Sequence, residues 1–345
     1  MSKQVLSNRS AHEMPSNYRF NCMDLVKFIC AILVLMIHVR PFDPQKLGAE
    51  DFTNISFILK NHICRLAVPF YFTASGFLLF KKIDIKNPDT ERIRGYCLKL
   101  LRLFGTWSFL LFVGKHYQLW YLEASVLAVA VLGFMMKKGV KMGKIILFSV
   151  IMYIIALLGD SYYGFLAMLK NYNVTKPFMD VYDSMHTSVR NRMFFGFIFI
   201  IMGALFSQRK IVINNAVAVI GFIVSLGAMF FEGYMLKQHS SPKDLQVYIS
   251  LVPAVFFLFY LSTHIKLVNK PIYQSLRVVG MLVFYTQLFV DHFVKLAIDF
   301  ANKKIGININ PFHFVLTLMF TLLFSVLLEK LSKKEKLSWL KYLYS

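Results

Sequence analysis

Long apolar runs alternate with short charged or turn-rich segments along most of the chain. A helix needs about 20 mainly apolar residues to cross a bilayer, so each run of that length predicts one transmembrane helix. The runs cover residues 23–40, 62–80, 98–114, 118–136, 144–160, 190–207, 212–231, 247–263, 275–296 and 311–330. The pattern therefore predicts an all-α, polytopic integral membrane helix bundle of about ten transmembrane helices.

The charged segments between the runs predict the orientation of this bundle. If the N-terminus is cytoplasmic, most Lys and Arg residues of the connecting segments fall on the cytoplasmic side. Such an excess is typical of cytoplasmic loops. We therefore expect both termini in the cytoplasm. The expected parts are a cytoplasmic N-terminal tail over 1–22, a transmembrane domain over 23–330 and a basic cytoplasmic C-terminal tail over 331–345.

The composition agrees with a membrane protein and argues against other classes. Of the 345 residues, 57% are hydrophobic and only 17% are charged, whereas about a quarter of the residues in a globular domain are charged. We assign the net charge of +21 to cytoplasmic loops, because the chain contains no basic-aromatic nucleic-acid module. The four cysteines form no CxxC motif and no Cys/His cluster, so we expect neither a metal site nor a disulfide framework.

The first run carries a polar stripe on an otherwise apolar helix. Lys27 and His38 are eleven residues apart, which at about 100° per residue places them on nearly the same face. Asp24 lies close to that face. Ionisable groups are costly inside a bilayer, so the stripe indicates a functional site. His38 is suited to accept a proton near neutral pH, although a lone membrane histidine is more often structural.

The second and third runs add further cations. Arg65 opens the second run, and Ser75 follows on the same span, where it also suits close helix packing. Lys99 and Arg102 lie one turn apart at the start of the third run, a spacing that suits a phosphate group. Anchoring of the helix by the positive-inside rule is the alternative reading of this pair.

Polar side chains also interrupt the later runs. Trp120 and Glu123 lie one turn apart in the fourth run, and an intramembrane glutamate needs a partner. Asn191 opens the sixth run, and Tyr285 and Gln287 lie in the ninth. Together with the serine of the second run, these side chains are candidates for lining a substrate cavity.

The motifs of the first three spans resemble those of acyltransferase family 3, membrane proteins that O-acylate extracytoplasmic glycans. Lys27 and His38 resemble the family's signature of an arginine, ten residues and a histidine. Residues 65–77 resemble its R-x-x-x-P-x-F-x-x-x-S-G second span. Lys99 and Arg102 resemble its RxxR motif at the inner face.

The resemblance continues through the later spans and covers about residues 19–330. Residues 120–122 resemble the family's WFL hairpin, and residues 190–203 resemble its sixth span. The chain departs from the family pattern at three positions. Lys27 and Lys99 stand where the family usually has arginine, and Gln287 stands where many members have a histidine.

The resemblance implies a membrane O-acyltransferase of a bacterial plasma membrane. Acyl-CoA, with acetyl-CoA as the first candidate, would be the co-substrate and would bind near Lys99, Arg102 and Arg65. His38 would be the general base for a hydroxyl of a cell-surface polysaccharide or glycolipid. The other two members of the polar stripe, Lys27 and Asp24, would tune the site.

Two other functions remain open at the level of the sequence. A related branch of the family forms the membrane half of serine racemases in glycopeptide resistance, so a transporter of a serine-like amino acid is one alternative. A non-catalytic partner of a glycan synthase is the other. The expected partners are the lipid bilayer and a glycan acceptor, with a glycan synthase or a second copy of the chain as further possibilities, and no nucleic acid.

Overall fold

The computed structural model describes residues 20–41, 53–84, 88–111, 119–168, 176–177, 180, 193–240, 242–306 and 308–345. All regular secondary structure in these ranges is helical, which confirms the all-α prediction. The α-helices are α1 (Asn21–Val39), α2 (Thr53–Asn61), α3 (Ala67–Phe80), α4 (Thr90–Leu110), α5 (Trp120–Lys137), α6 (Met142–Leu158), α7 (Tyr163–Ala167), α8 (Met193–Gln208), α9 (Asn215–His239), α10 (Leu251–His264), α11 (Ile272–Ile305) and α12 (His313–Ser332).

A helix coincides with each of the ten apolar runs, but the helices differ in length and apolarity. Among the described residues, six helical stretches are long and apolar enough to cross a membrane by length and composition. They are Asn21–Val39, Ile55–Phe80, Trp120–Lys137, Asn215–His239, Ile272–Lys304 and Asn310–Ser332. The helices α6, α8 and α10 are apolar but shorter. The total of about ten spans and the cytoplasmic position of both termini remain predictions.

Three helices, α4, α9 and α11, extend well beyond the apolar runs that predicted them. Helix α4 begins at Thr90 rather than near 98, because the Asp89 side chain caps it by accepting a hydrogen bond from the Arg92 backbone N–H at 3.0 Å. Its first turns are charged, so the search for apolar runs missed them. Helix α11 continues to Ile305 and stops at Gly306, whose φ of 72° is the left-handed conformation that glycine adopts easily.

The helices α1, α11 and α12 pack side by side. Ala31 of α1 packs against Val279 and Val283 of α11, and Leu322 and Val326 of α12 complete this cluster. Helix α11 runs in the same direction as α1, and α12 runs back. The Lys27 end of the bundle, with Lys27 and the start of α11, is therefore opposite the His38 end.

The helices α3 and α8 approach each other very closely. A Cβ atom at Gly76 would overlap the backbone carbonyl of Ile200, and a Cβ atom at Gly203 would overlap that of Thr73. Both glycines are therefore required for this contact, as expected where small residues let two membrane helices approach. Pro69 lies in the first turn of α3, where a missing N–H costs little, so it does not kink the helix interior.

Candidate functional site

A cavity of about 230 Å³ lies at the Lys27 end of the bundle, between α1, α3, α4, α5 and α11. Its wall combines cations with tyrosine side chains, so we name it the cation–tyrosine cavity. The lining residues are Lys27, Tyr71, Ser75, Leu78, Tyr96, Lys99, Leu100, Leu103, Tyr121, Leu122, Arg277, Met281, Phe284, Tyr285 and Tyr344.

Three cations from three different helices face this cavity. Lys27 comes from α1, Lys99 from α4 and Arg277 from α11. The charge of Asp24, a buried residue of α1, acts on Lys27. Within the described part of the chain, Lys99 and Arg277 form no ion pair with a carboxylate. A cavity with this excess of positive charge is suited to an anionic group such as a phosphate.

Hydroxyl groups line the deeper wall of the cavity. The Ser75 and Tyr121 hydroxyls lie 2.8 Å apart, and the Tyr121 hydroxyl also lies 3.2 Å from the Tyr71 backbone carbonyl. The Tyr71 hydroxyl donates to the Lys27 backbone carbonyl at 2.6 Å. Tyr285 stacks on Trp107 of α4, with ring centroids 5.3 Å apart. These contacts hold polar groups at fixed positions in an otherwise apolar bundle.

The C-terminal segment closes one side of the same cavity. A 3₁₀ helix, Glu335–Leu343, follows α12 and brings Tyr344 onto the cavity wall. The Trp107 indole N–H donates to the Leu343 carbonyl at 2.9 Å. Arg102 lies over the Tyr342 ring, 5.1 Å from its centroid, and its guanidinium donates to the Ser345 backbone carbonyl. The segment therefore holds Arg102, while Lys99 faces the cavity.

The polar stripe of α1 ends at the other side of the bundle. Helix α1 stops at Val39, one residue after His38, and Arg40 takes a positive φ of 50°. The His38 side chain is half-buried. The charges that act on it are those of Arg65, Asp291 and Lys295. Lys27 and His38 are separated by roughly 16 Å along the helix axis.

A second, much smaller cavity of about 30 Å³ lies at the His38 end. Arg65, Trp120 and Ile37, the neighbour of His38, contribute to its wall. Gln246 and Val247, from the segment between α9 and α10, cover it. The Arg65 Nε atom is buried and has no hydrogen-bond partner in the described part of the chain. A small polar group therefore has a donor available in this cavity.

Carboxylates at the surface of the bundle and in its interior fix the segment that covers the Arg65 cavity. The Gln246 backbone N–H donates to Asp160 at 3.0 Å, and the Ile249 and Ser250 backbone N–H groups donate to Glu232 at 2.7 and 2.9 Å. Burial raises the pKa of Asp244, but the Arg65 guanidinium and the Gln246 side chain together bring that pKa below its ordinary value. Asp244 is therefore ionised near neutral pH and contributes negative charge opposite Arg65.

The structure separates the predicted site residues into two groups. Lys27, Lys99, Ser75 and Tyr285 line the cation–tyrosine cavity, and Arg102 lies beside it. Arg65 and Trp120 line the small cavity at the other end, so Arg65 is far from the pair with which it was grouped as a donor-binding residue.

Besides His38 and Arg102, three predicted residues line neither cavity, and one is not described. Asp24 is buried next to Lys27 on α1. Gln287 is fully buried, and its amide donates to the Phe284 carbonyl at 3.1 Å. Glu123 is half-buried and forms no ion pair with any described residue. Asn191 lies outside the described residues.

Sequence reasoning missed one cation and four tyrosines of the larger cavity. The missed cation is Arg277, although its position at the start of an apolar span is also that of Lys99. Tyr71, Tyr96, Tyr121 and Tyr344 come from three helices and the C-terminal segment. No local pattern joins them, because only the packing of these elements brings their hydroxyls together.

Comparison with known proteins shows the family. The model of acyltransferase family 3, described as an acyltransferase domain, matches residues 20–330. An amino-acid racemase of Enterococcus faecalis is 29% identical over 73% of this chain and 37% of its own length. A serine/alanine racemase of Enterococcus gallinarum is 24% identical over 93% of this chain and 47% of its own length. The chain thus spans less than half the length of these relatives. No solved structure matches it.

Proposed function

The chain belongs to acyltransferase family 3, and from this premise we propose that it is a membrane O-acyltransferase. It transfers an acyl group, with acetyl as the first candidate, from cytoplasmic acyl-CoA to a hydroxyl outside the cytoplasm. The acceptor is a cell-surface polysaccharide or a glycolipid. The observation that carries this proposal is the polar stripe of α1, which joins a cationic cavity at Lys27 to a partly exposed histidine at His38.

The donor binds at the Lys27 end of the bundle in this proposal. The phosphates of acyl-CoA need several cations, and Lys27, Lys99 and Arg277 supply them from three helices. The cavity of about 230 Å³ accepts only part of such a donor, since pockets for whole small-molecule ligands measure about 300–1,000 Å³. The pantetheine arm therefore has to extend along the bundle towards the other end.

His38 acts as the general base. It takes the proton of the acceptor hydroxyl as the oxygen attacks the thioester carbonyl carbon, and the C–S bond then breaks. The nearby charges of Arg65, Asp291 and Lys295 act on the imidazole and on the oxyanion that forms during attack. The unpartnered Arg65 Nε donor supports a role at the acceptor end rather than in binding CoA.

The proposal is tested in cells by the ester-linked acyl content of surface glycans. Cells that express the wild-type chain are compared with cells that express His38→Ala, and the acyl groups are released with mild base and quantified. We expect the signal to fall to that of cells without the protein. The matched control is His264→Ala, a histidine at the end of α10, which keeps the signal. Equal acyl content in wild type and His38→Ala contradicts the role of His38.

A second function rests on the names of the relatives. Both are racemases of amino acids, and this chain matches less than half of each. The matching half could instead supply a serine-like amino acid to such an enzyme by transport across the membrane. Uptake of labelled serine by proteoliposomes without any CoA thioester supports transport. Acyl transfer without such uptake supports the enzyme.

A further role is that of a non-catalytic partner in a glycan assembly complex. The three departures from the family pattern at Lys27, Lys99 and Gln287 are the observation that favours it. Co-purification with a glycan synthase, combined with unchanged glycan acylation when the chain is deleted, is its signature. Under each of these functions the protein works in the plasma membrane, alone or as a homo-oligomer.

A further inference from the structure

Helix α12 has an inverted distribution of polar residues. Every buried residue that the structure describes on this helix is polar, whereas its apolar side chains are half-buried or exposed. The buried residues are His313, Thr317, Thr321, Ser325, Glu329 and Ser332. A helix packed against its neighbours through ordinary apolar contacts would show the opposite pattern of buried side chains.

The first five of these residues follow one another at intervals of four, so they form a continuous stripe. From His313 to Glu329 the stripe measures roughly 24 Å at 1.5 Å per residue. The hydrocarbon core of a bilayer is about 30 Å thick. The stripe therefore extends across most of a membrane, and we name it the α12 seam.

Helix α11 contributes polar groups to the same seam. The Thr286 and Ser325 hydroxyls lie 3.4 Å apart, at full burial. At the His38 end, Asp291 pairs with His313 at 2.8 Å and with Lys295 at 2.6 Å. At the Lys27 end, Glu329 pairs with Lys333 at 2.5 Å. The seam thus has ionisable groups at both ends and hydroxyl groups between them.

Helix packing alone does not account for these hydroxyls. Small polar residues do let membrane helices approach and bond to each other. The Thr317 and Thr321 Oγ1 atoms, however, are fully buried and have no hydrogen-bond partner in the described part of the chain. A buried hydroxyl without a partner is costly, so an alanine or valine would pack at lower cost. The seam retains groups that can both donate and accept protons.

The two ends of the seam lead to the two candidate sites. At one end, the charge of Asp291 acts on His38. At the other end, the Ser332 hydroxyl lies 2.8 Å from the Tyr344 hydroxyl, and Tyr344 lines the cation–tyrosine cavity. The seam therefore joins the acceptor end of the bundle to the donor end.

We propose that the α12 seam is a proton pathway between the His38 end of the bundle and the cation–tyrosine cavity. The role follows from the balance of acyl transfer and rests on the proposed function. The O–H bond of the acceptor breaks at His38, an O–C bond forms, the C–S bond breaks and the leaving thiolate needs a proton. The C–S bond breaks near His38, and the leaving thiolate withdraws with the donor to the cation–tyrosine cavity. The proton taken by His38 follows through Asp291 and His313 and along the seam, and it protonates the thiolate there.

The chemistry of the seam suits proton transfer. Carboxylate and imidazole groups inside a membrane mark proton relays. A hydroxyl donates one hydrogen bond and accepts two, so it can pass a proton on while it receives another. Successive seam residues are about 6 Å apart along the helix axis, a gap that one bridging water molecule spans.

The proposal is tested by proton flux into liposomes that contain the full chain. The vesicles enclose a pH-sensitive dye, and a potassium gradient with valinomycin sets the membrane potential. We expect flux above that of protein-free vesicles in the wild type and at least a tenfold lower flux in Thr321→Val and in Glu329→Gln. Thr321→Val keeps the side-chain shape and removes only the hydroxyl, so it tests the pathway without opening a cavity.

The matched control is Thr73→Val, which removes a fully buried hydroxyl on α3, away from the seam. We expect its proton flux to equal that of the wild type. Flux in the wild type no greater than in protein-free vesicles overturns the proposal. A proton flux in Thr321→Val equal to that of the wild type also overturns it. So does a loss of flux in Thr73→Val as large as that in Thr321→Val.

The flux assay contains no acyl donor, so its outcome is separate from that of the proposed function. Proton flux that depends on Thr321, combined with no acyl transfer, supports the proton pathway and contradicts the acyltransferase function. Acyl transfer that depends on His38, combined with no proton flux, supports the acyltransferase function and contradicts the proton pathway.

Discussion

Two lysines occupy positions where the family has arginine, and the structure gives them a common neighbour. An arginine holds a phosphate through two parallel hydrogen bonds, whereas a lysine acts as a point charge. Lys27 and Lys99 face one cavity together with Arg277, so α11 places a guanidinium beside both lysines.

Removal of one of these cations should weaken donor binding. Lys99→Ala takes away a charge that has no carboxylate partner among the described residues. A hydrogen bond to a charged group contributes about 1.5–3 kcal/mol, so we expect the Kd for CoA to rise by roughly 10- to 100-fold. The measurement is calorimetric titration of CoA into the purified chain in detergent.

The same titration includes two comparison variants. Lys99→Arg keeps the charge and adds a second donor, so it should bind CoA at least as tightly as the wild type. Lys137→Ala removes an exposed lysine at the end of α5 and should leave Kd unchanged. Equal Kd values for wild type and Lys99→Ala would show that the cavity does not hold the phosphates.

The sequence predicted which residues line a cavity better than it predicted which of them lie in the same cavity. Lys27, Lys99, Ser75 and Tyr285 were selected from spacing and motif, and they line one cavity. Arg65 was grouped with Lys99 because both are cations near a span boundary, yet the two lie at opposite ends of the bundle. Charge and spacing within one helix say nothing about which helices become neighbours.

At the level of elements, the contact between α3 and α8 depends on two glycines. Gly203→Val should destabilise the bundle, because its side chain would overlap the Thr73 carbonyl and force the helices apart. Overpacking of this kind costs about 1–3 kcal/mol. We expect a lower midpoint of thermal unfolding in detergent, followed by tryptophan fluorescence.

Gly227→Ala is the matched control for this variant. Gly227 lies on α9, and an added Cβ atom there meets no other atom within 4 Å. Alanine favours a helix over glycine by about 1 kcal/mol, so the midpoint should stay the same or rise. A fall for Gly227→Ala as large as that for Gly203→Val would show that close approach is not the cause.

The C-terminal segment is a second element whose position rests on few contacts. Trp107→Phe removes the hydrogen bond to the Leu343 carbonyl, which contributes about 1 kcal/mol. We therefore expect amide hydrogen exchange over residues 335–345 to become about fivefold faster. The control is Trp339→Phe, an exposed tryptophan of the same segment. Exchange that stays as slow as in the wild type would mean that other contacts hold the segment against the cavity.

Helix α12 shows what periodicity alone could have revealed. His313, Thr317, Thr321, Ser325 and Glu329 recur every four residues, and this regularity is visible in the sequence. The search for apolar runs treated them as interruptions of a hydrophobic span. The first turns of α4 were missed for the opposite reason. They are charged and capped by Asp89, so they lack the apolar pattern of a membrane helix.

For the whole molecule, the apolar runs predicted the helical class and the helix that occupies each run. They did not determine how many of these helices cross the membrane, because α6, α8 and α10 are short and α4 is strongly charged. The family was accessible from motifs that lie far apart in the chain, and the match over residues 20–330 confirms it. The cavities could not be predicted from the sequence, because residues of several helices and of a connecting segment form each wall.

The molecule as a whole has two chemically different ends, and in the proposed function a donor at one end serves an acceptor at the other. Lys27, Lys99 and Arg277 give the first end its positive charge, and His38 and Arg65 lie at the second. An enzyme that carried out the reaction on a single face of the membrane would need no such separation.

The most direct test uses sealed membrane vesicles with a defined orientation. Acetyl-CoA labelled in its acetyl group is added on the cytoplasmic face, and alkali-labile label is counted in glycan enclosed on the opposite side. We expect label in the enclosed glycan for the wild type, and background label for His38→Ala and Lys99→Ala. Absence of labelled ester in the wild type, or equal label in His38→Ala, would contradict the proposed function.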